Sequence, residues 1–376
     1  MPAMPRIHCE LGPVLVNRTA VYKICRDLPR ELARRGFSVR CSALLSSLTD
    51  ENAAPQSRLQ RLLFSLSKAW LCFVCARPGI WRRIRGAIGR IMAWRHGDAL
   101  RLFLDPLYYF FYNGPDRGVV VVYDQTTVSD AAWHAPGVSY LYRSAFEMLA
   151  QSRCKIVTSS HNTAEQLRAS WGIAPSRLTV LPLGLFPQIT PLEVTSSPSE
   201  APFFLFVGSL EPRKNVAGLI KAFDRTRLHR REGIRLRIIG HVPDGELPVV
   251  KLARATPGVD LCGFVSDAEL DDAYHRCLAF VYPSYCEGFG LPLLEAMHHG
   301  CVCLATTTGA SPEVGGDAVM YVDPHSVVDI SRALRRLARL SCDERWQLAS
   351  KARARSARFT WSRFYDGLAQ VLKESA

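Results

Sequence analysis

Residues 280–300 read FVYPSYCEGFGLPLLEAMHHG, and this stretch decides the fold. The apolar run 278–282 predicts a short buried strand. It breaks at Pro283 and passes through the glycine-bearing turn Glu287, Gly288, Phe289, Gly290. Leu291 and the residues 292–297 then read as an apolar helix, with proline near its first position and Gly300 just past its end. A strand, a glycine turn and a helix N-terminus together make a place to hold a phosphate, because unpaired backbone N–H groups and the helix dipole point there. Glu287 sits in the turn and Glu295 is expected in the first helical turn, where side chains lean back toward the N-terminus. Both carboxylates would then face one small space above the phosphate, where a carboxylate suits sugar or ribose hydroxyls. The spacing alone is equally open to two surface glutamates around an ordinary helix start.

Outward from this stretch the pattern continues as SPEVGGDA at 311–318 and YVDP at 321–324. Together with EGFGLPLLEAM, these segments resemble the Glu-x7-Glu signature of retaining nucleotide-sugar glycosyltransferases of the GT-B fold, glycosyltransferase family 4. Upstream, the apolar strand FFLFV at 203–207 runs into Gly208 and then SLEPRKN, which is similar to a segment of the same family. Adjacent Arg213 and Lys214 between a strand and a helix at 216–223 can clamp a diphosphate, the arginine by its fork and the lysine as a point charge. The segment VDLCGFVSD at 259–267 resembles the stretch whose backbone, around Phe264 and Val265, holds the nucleobase. The resemblance covers nearly all of the second half and is looser over the first.

The first half alternates strand and helix patterns: strands at 7–9, 39–43, 119–123, 155–158 and 178–181, with helices at 20–35, 140–151 and 163–171. Such alternation predicts parallel sheets with helices on both faces and ligands at the carboxyl ends of the strands. A Pro- and Ser-rich linker candidate spans 187–202. The expected organisation is α/β of the GT-B kind: two Rossmann-like domains with parallel sheets facing across a cleft. Residues 1–190 form the acceptor side, with a basic insert at about 57–112, and residues 200–358 form the donor side. Residues 359–376 form a crossover helix returning to the first domain, and its apolar stripe (Trp361, Phe364, Leu368, Val371, Leu372) fits that role.

Two departures from the family pattern stand in the first half. The turn after the first strand reads VNRTA at 16–20 rather than glycine-rich, and Tyr123 stands where many relatives carry histidine. Asp124 is then the nearest ionisable group, and it orients the acceptor or the sugar, or simply caps the next element. His134 and Ser160 are further acceptor-side candidates.

With 376 residues and 48% hydrophobic content the chain can bury two cores. Its 47 basic and 34 acidic residues give +13, which points to anionic partners. Ten of the bases and a single acid, Asp98, fall within 57–101. There Ile80, Trp81, Ile84, Ile88, Ile91 and Met92 recur at helical spacing opposite Arg82, Arg83, Arg85 and Arg90. This reads as a basic amphipathic helix for an anionic membrane surface, or as a helix packed on its own domain with solvated arginines. Nucleic acid is not expected, since no stacking platform or known module is present. The twelve scattered cysteines fit a reducing cytosol, and Cys72 and Cys75 lack a second pair at zinc-site spacing. No signal peptide and no membrane-spanning run is expected, so the protein reads as cytoplasmic, peripheral at the inner face of the membrane.

The resemblance implies a metal-independent hexosyltransferase without a cofactor. The absence of an Asp-x-Asp pair agrees with diphosphate stabilisation by side chains and helix dipoles. Arg213 and Lys214 would hold the diphosphate and Glu295 the ribose, with Gly208, Leu291 and Val265 completing the donor site. Glu287 and the Gly288–Gly290 backbone would hold the sugar, with same-face attack retaining configuration. Mannose from GDP-mannose leads among donors, and a lipid-linked saccharide or growing surface polysaccharide leads among acceptors. The rivals are another enzyme on the scaffold, an epimerase or a phosphorylase, and a non-catalytic subunit of a polysaccharide assembly. Glu287→Ala is expected to abolish transfer with near-normal folding, because a loop glutamate adds little to a core.

Overall fold

The computed structural model describes the chain except residues 1–4, 16–19, 45, 49–57, 78, 80–98, 115, 135, 186–200 and 243–246. Two compact units emerge: Met1–Pro182 with Ser362–Ala376, and Leu183–Trp361. The basic helix expected over 80–92, the turn at 16–19 and nearly all of the linker lie outside the described residues.

The first unit opens with β1 (Arg6–Glu10), α1 (Ala20–Arg34), β2 (Ser38–Ala43) and β3 (Ser46–Leu48). Next come α2 (Arg58–Ala76), β4 (Leu100–Phe103), α3 (Pro106–Phe111), β5 (Val119–Val122) and α4 (Thr126–Ser129). Then follow α5 (Pro136–Gln151), β6 (Lys155–Thr158), α6 (His161–Trp171) and β7 (Leu178–Val180). The strands form one sheet in the order β3-β2-β1-β4-β5-β6-β7. Only the β2–β3 pairing among them is antiparallel. The order reverses direction at β1 and β4, where a doubly wound sheet leaves a crevice at its strand ends.

The insert placed at 57–112 is corrected here. Leu100–Phe103 is a central strand, in register with β1 from Ile7↔Leu100 to Glu10↔Phe103. Every residue of α3 is buried, and Asp105 caps it by accepting from the Leu107 N–H at 2.7 Å. The short strand contains Arg101 and runs into an aromatic helix, so its pattern is hidden in the sequence, and its pairing with β1 and β5 reveals it.

The second unit holds β8 (Phe203–Val207), α7 (Val216–Thr226), α8 (Leu228–Glu232), β9 (Arg235–Ile239), α9 (Pro248–Ala255) and β10 (Val259–Gly263). After them come α10 (Asp267–Arg276), β11 (Ala279–Val281), α11 (Leu291–His298), β12 (Cys303–Thr306), α12 (Ser311–Gly315), β13 (Met320–Val322), α13 (Val327–Ala338) and α14 (Cys342–Ser356). Its sheet is parallel throughout, in the order β10-β9-β8-β11-β12-β13. The central strands are fully buried runs such as Phe203–Phe206, as expected of a parallel sheet covered on both faces.

The last helix, α15 (Trp361–Ser375), belongs from Ser362 onward to the first unit. There Asp366 accepts from the Arg35 guanidinium at 2.8 Å, and Gly367 packs so closely on Leu181 that an added Cβ would lie 2.5 Å from it. Among the described residues no helix is long and apolar enough to cross a membrane.

Candidate functional site

The carboxyl edge of the second sheet is built on glycines. β8 runs into Gly208, β9 into Gly240, and β10 ends at Gly263. The Gly208 N–H donates to the Ile239 carbonyl at 2.9 Å and the Gly240 N–H to the Gly263 carbonyl at 2.9 Å. A Cβ on Gly240 would lie 2.1 Å from the Gly208 oxygen, so only glycine lets the two strand ends approach this closely.

From Gly208 the chain passes through a 3₁₀ turn at Pro212–Lys214 into α7. Asn215 stands at the junction with φ of 54°, a left-handed conformation that asparagine tolerates. Its side-chain amide donates to the carbonyls of Pro283 (3.1 Å) and Pro324 (2.7 Å), tying three loops together. The Tyr285 N–H donates to the Arg213 carbonyl at 2.8 Å, which adds a second tie between this turn and the 283–290 loop. Gly309 packs against the same loop, where a Cβ would lie 2.7 Å from the Glu287 nitrogen.

These ties bring Arg213, Lys214 and Glu287 together. Lys214 Nζ lies 2.7 Å from Glu287 Oε1, and Arg213 Nη1 lies 2.9 Å from Oε2. Arg213 Nε also pairs with Glu211 at 2.7 Å. The Lys214 ammonium donates to the Tyr282 hydroxyl and lies 4.9 Å from its ring centroid. Lys214 and Glu287 are only 6% and 5% exposed. Burial by itself would raise the Glu287 pKa, but Lys214 and Arg213 outweigh it and hold the carboxyl at about 2. Burial, with the neighbouring Arg213, pushes Lys214 below its ordinary value, and Glu287 offsets part of this. The expectation that Glu287 is a loop residue of little structural weight is therefore corrected. It is the counter-charge of a buried lysine.

Gly288, Phe289 and Gly290 follow as a buried turn, with Phe289 edge-on to Phe359 at 5.8 Å between ring centroids. Gly290, at φ of 94°, is the N-cap of α11, so no side chain caps the helix end that begins with Leu291. Glu295 is the fifth residue of that helix, one position beyond the first turn expected for it. It accepts from the Tyr274 hydroxyl of α10 at 3.3 Å. Phe264 is 80% exposed and its ring lies 5.6 Å from that of His241, next to the half-buried Val265. A groove of about 490 Å³ beside β10, lined by Val242, Arg254, Asp260 and Cys262 among others, contains none of these candidates.

In the first unit the structure gives two candidates capping work. Asp124 accepts from the Thr126 N–H at 3.0 Å and hydroxyl at 2.7 Å, at the start of α4. Ser160 caps α6 by accepting from the Thr163 N–H at 3.1 Å. His134 has a buried Nε2 with no hydrogen-bond partner among the described residues. Sequence reasoning missed Asn215 and the counter-charge Glu211, and it missed a buried group in the first unit. Glu10, at the end of β1, accepts from Ser42 Oγ (2.7 Å), from the Leu44 N–H (2.9 Å) and from the Tyr112 hydroxyl. The only signal for Asn215 was its place in an EPRKN turn, where asparagine suits positive φ. Among the described residues no group of three or more His, Cys, Asp or Glu is placed to hold a metal ion.

Residues 191–355 match the family described as glycosyl transferases group 1. The O-antigen chain mannosyltransferase B of Escherichia coli is 27% identical over 317 residues, 77% of this chain and 79% of that protein. The serotype-specific mannosyltransferase WbdA of Escherichia coli is 34% identical over 185 residues. That match covers 46% of this chain and 22% of WbdA, so the chain spans less than a quarter of that relative's length. Among solved structures, the sucrose-phosphate synthase of Thermosynechococcus elongatus superposes with a TM-score of 0.71 at 15% identity, covering 99% of both chains. This likeness concerns the fold. The chain is a glycosyltransferase of the GT-B fold class, and its second unit carries a glycosyl transferases group 1 domain.

Proposed function

We propose that the protein is a retaining mannosyltransferase that takes GDP-mannose as donor and extends a lipid-linked or growing surface saccharide at the inner face of the membrane. The observation that carries this reading is the Arg213–Lys214–Glu287 cluster beside the uncapped N-terminus of α11. Two cations, one shared carboxylate and an open helix end suit a diphosphate that leaves with negative charge. Arg213 and Lys214 hold that diphosphate, with Gly208 and Leu291 supplying backbone against it. Glu287, kept ionised, and the Gly288–Gly290 backbone hold the sugar and stabilise positive charge developing at its anomeric carbon. Glu295 takes the ribose hydroxyls, and the backbone at Val265 takes the base. His134 lies on the acceptor side, where Asp124 and Ser160 serve by capping the starts of α4 and α6. The mannose and surface-glycan terms rest on the names of the two Escherichia coli relatives.

The test is a thermal-shift series with UDP, GDP, ADP and their sugar conjugates, followed by transfer assays with GDP-mannose. A ligand of the native state raises the midpoint with its occupancy. GDP and GDP-mannose are expected to raise it, and Arg213→Ala to abolish the rise. A response to UDP alone would replace mannose with a UDP-linked hexose, and no response to any nucleotide would sink the donor site.

A further inference from the structure

The helix α2 presents an apolar ridge that nothing among the described residues of the first unit covers. Leu59, Leu62, Leu66 and Phe73 are 64%, 56%, 50% and 43% exposed. At 100° per residue these four positions fall within an arc of about 60°. The adjacent arc packs inward: Ser67 and Val74 are buried, and Trp70 meets Phe111 edge-on at 5.2 Å. The helix is therefore anchored by one side and leaves its neighbouring side, four large apolar residues in a line, to solvent. Isolated exposed apolar residues are ordinary, but a contiguous ridge on one helix marks a contact surface.

Charge selects the occupant. The helix contains no acidic residue and begins with Arg58 and Arg61, both exposed on the flank of the ridge. The Arg77 guanidinium, just past its end, lies 5.2 Å from the Phe73 ring centroid, which ties a positive group to the ridge itself. The surrounding segment 57–101 carries ten bases against one acid. An apolar ridge edged by cations, on a helix lying along the surface, matches the boundary of an anionic bilayer, where apolar side chains enter the acyl region and cations meet the headgroups.

We infer that α2 docks the protein on anionic lipid through Leu59, Leu62, Leu66 and Phe73, with Arg58, Arg61 and Arg77 at the headgroups. This deepens the membrane term of the reading above by assigning it a surface, and it rests on that reading only for where the enzyme works.

The experiment sediments the full-length protein with vesicles of phosphatidylcholine alone and of phosphatidylcholine with phosphatidylglycerol. The native protein is expected in the pellet with anionic vesicles and in the supernatant with neutral ones. Leu59→Gln/Leu62→Gln/Leu66→Gln should lower the partition constant by at least about tenfold, since buried methylenes drive such binding. The thermal midpoint should stay unchanged, because these side chains are exposed. Arg58→Gln/Arg61→Gln should weaken binding more at low than at high salt. Equal sedimentation of the native and triple-variant proteins would overturn the inference, as would a native protein that ignores anionic vesicles. A dimer in solution that the triple variant dissociates, with no vesicle binding, would assign the ridge to a second copy instead. Binding needs neither donor nor acceptor, so lost transfer with retained sedimentation would fault the proposed reaction and leave the docking surface standing.

Discussion

Lys214 Nζ and Glu287 Oε1 lie 2.7 Å apart, 73 residues distant in sequence, with both side chains almost wholly removed from solvent. The pair joins the turn after β8 to the loop after β11. It is at once a piece of the core and the centre of the candidate donor site.

Breaking the pair on one side leaves a buried charge without its partner. Glu287→Ala is therefore expected to cost about 3–5 kcal/mol of stability as well as transfer, and Lys214→Ala a similar amount. Lys214→Met/Glu287→Leu should recover much of that stability without recovering nucleotide binding. The same pair sets an acid limit. The folded-state pKa of Glu287 is depressed to about 2 from 4.5, so its contribution is fully present above 4.5 and lost as pH falls toward 2. Chemical denaturation across that range checks both parts. A single variant as stable as the native protein would contradict the pairing.

The caps in the first unit yield a second prediction. Ser160→Ala should cost about 1 kcal/mol, the usual worth of an N-cap, and leave the turnover number unchanged. Asp124→Asn keeps an oxygen for the Thr126 N–H and should leave both stability and transfer near native. A drop of tenfold or more in turnover for either, with the melting curve preserved, would assign that residue to the acceptor instead.

Glu10 makes a third. Burial lifts its pKa to about 7, against opposing hydrogen bonds from Tyr112, Leu44 and Ser42. A raised carboxyl binds its proton more tightly in the folded state. Its sign is thus opposite to that of Glu287: stability from this group is lost as pH rises from 4.5 to about 7 and is constant above. Glu10→Gln cannot ionise and should flatten that part of the stability profile, with the gain over the native protein largest above pH 7. A native profile that is flat between those values, with the variant parallel to it, would remove the buried carboxylic acid.

What the sequence exposes here is local, and what it hides is made at a distance. The strand, glycine turn and helix of 278–298 are readable because each step is written in consecutive residues: an apolar run, Pro283, Gly288, Gly290, then Pro292. The fate of Glu287 is not, because its burial depends on Lys214 and on Gly309 closing over its backbone. Asn215 looks like any turn asparagine until its amide meets carbonyls 68 and 109 residues away. Glu295 falls one position past the first turn because the helix starts at Leu291 rather than at the proline after it. Likewise β4 gives only four residues of signal, one of them Arg101, and is recognised as a strand through its pairing with β1 and β5.

The glycine-lined strand ends lead to the last prediction. Gly240 has φ of +145° and sits where a Cβ would lie 2.1 Å from the Gly208 oxygen, a backbone atom that can move only with its strand. Gly240→Ala must therefore part the ends of β8 and β9, at a cost of about 1–3 kcal/mol or more. Gly208 opens the turn that carries Arg213 and Lys214, so the same displacement should weaken nucleotide binding, although residue 240 holds no ligand group. Gly233→Ala is the matched control. It too is at positive φ, +67°, but nothing lies within 4 Å of its added carbon. It should cost about 1–2 kcal/mol from backbone strain alone and leave the nucleotide response intact. Comparing melting temperature and nucleotide-induced shift for the two variants separates strain from displacement. If Gly240→Ala loses stability but binds nucleotide as the native protein does, the carboxyl edge of β8 is not the wall of the donor site.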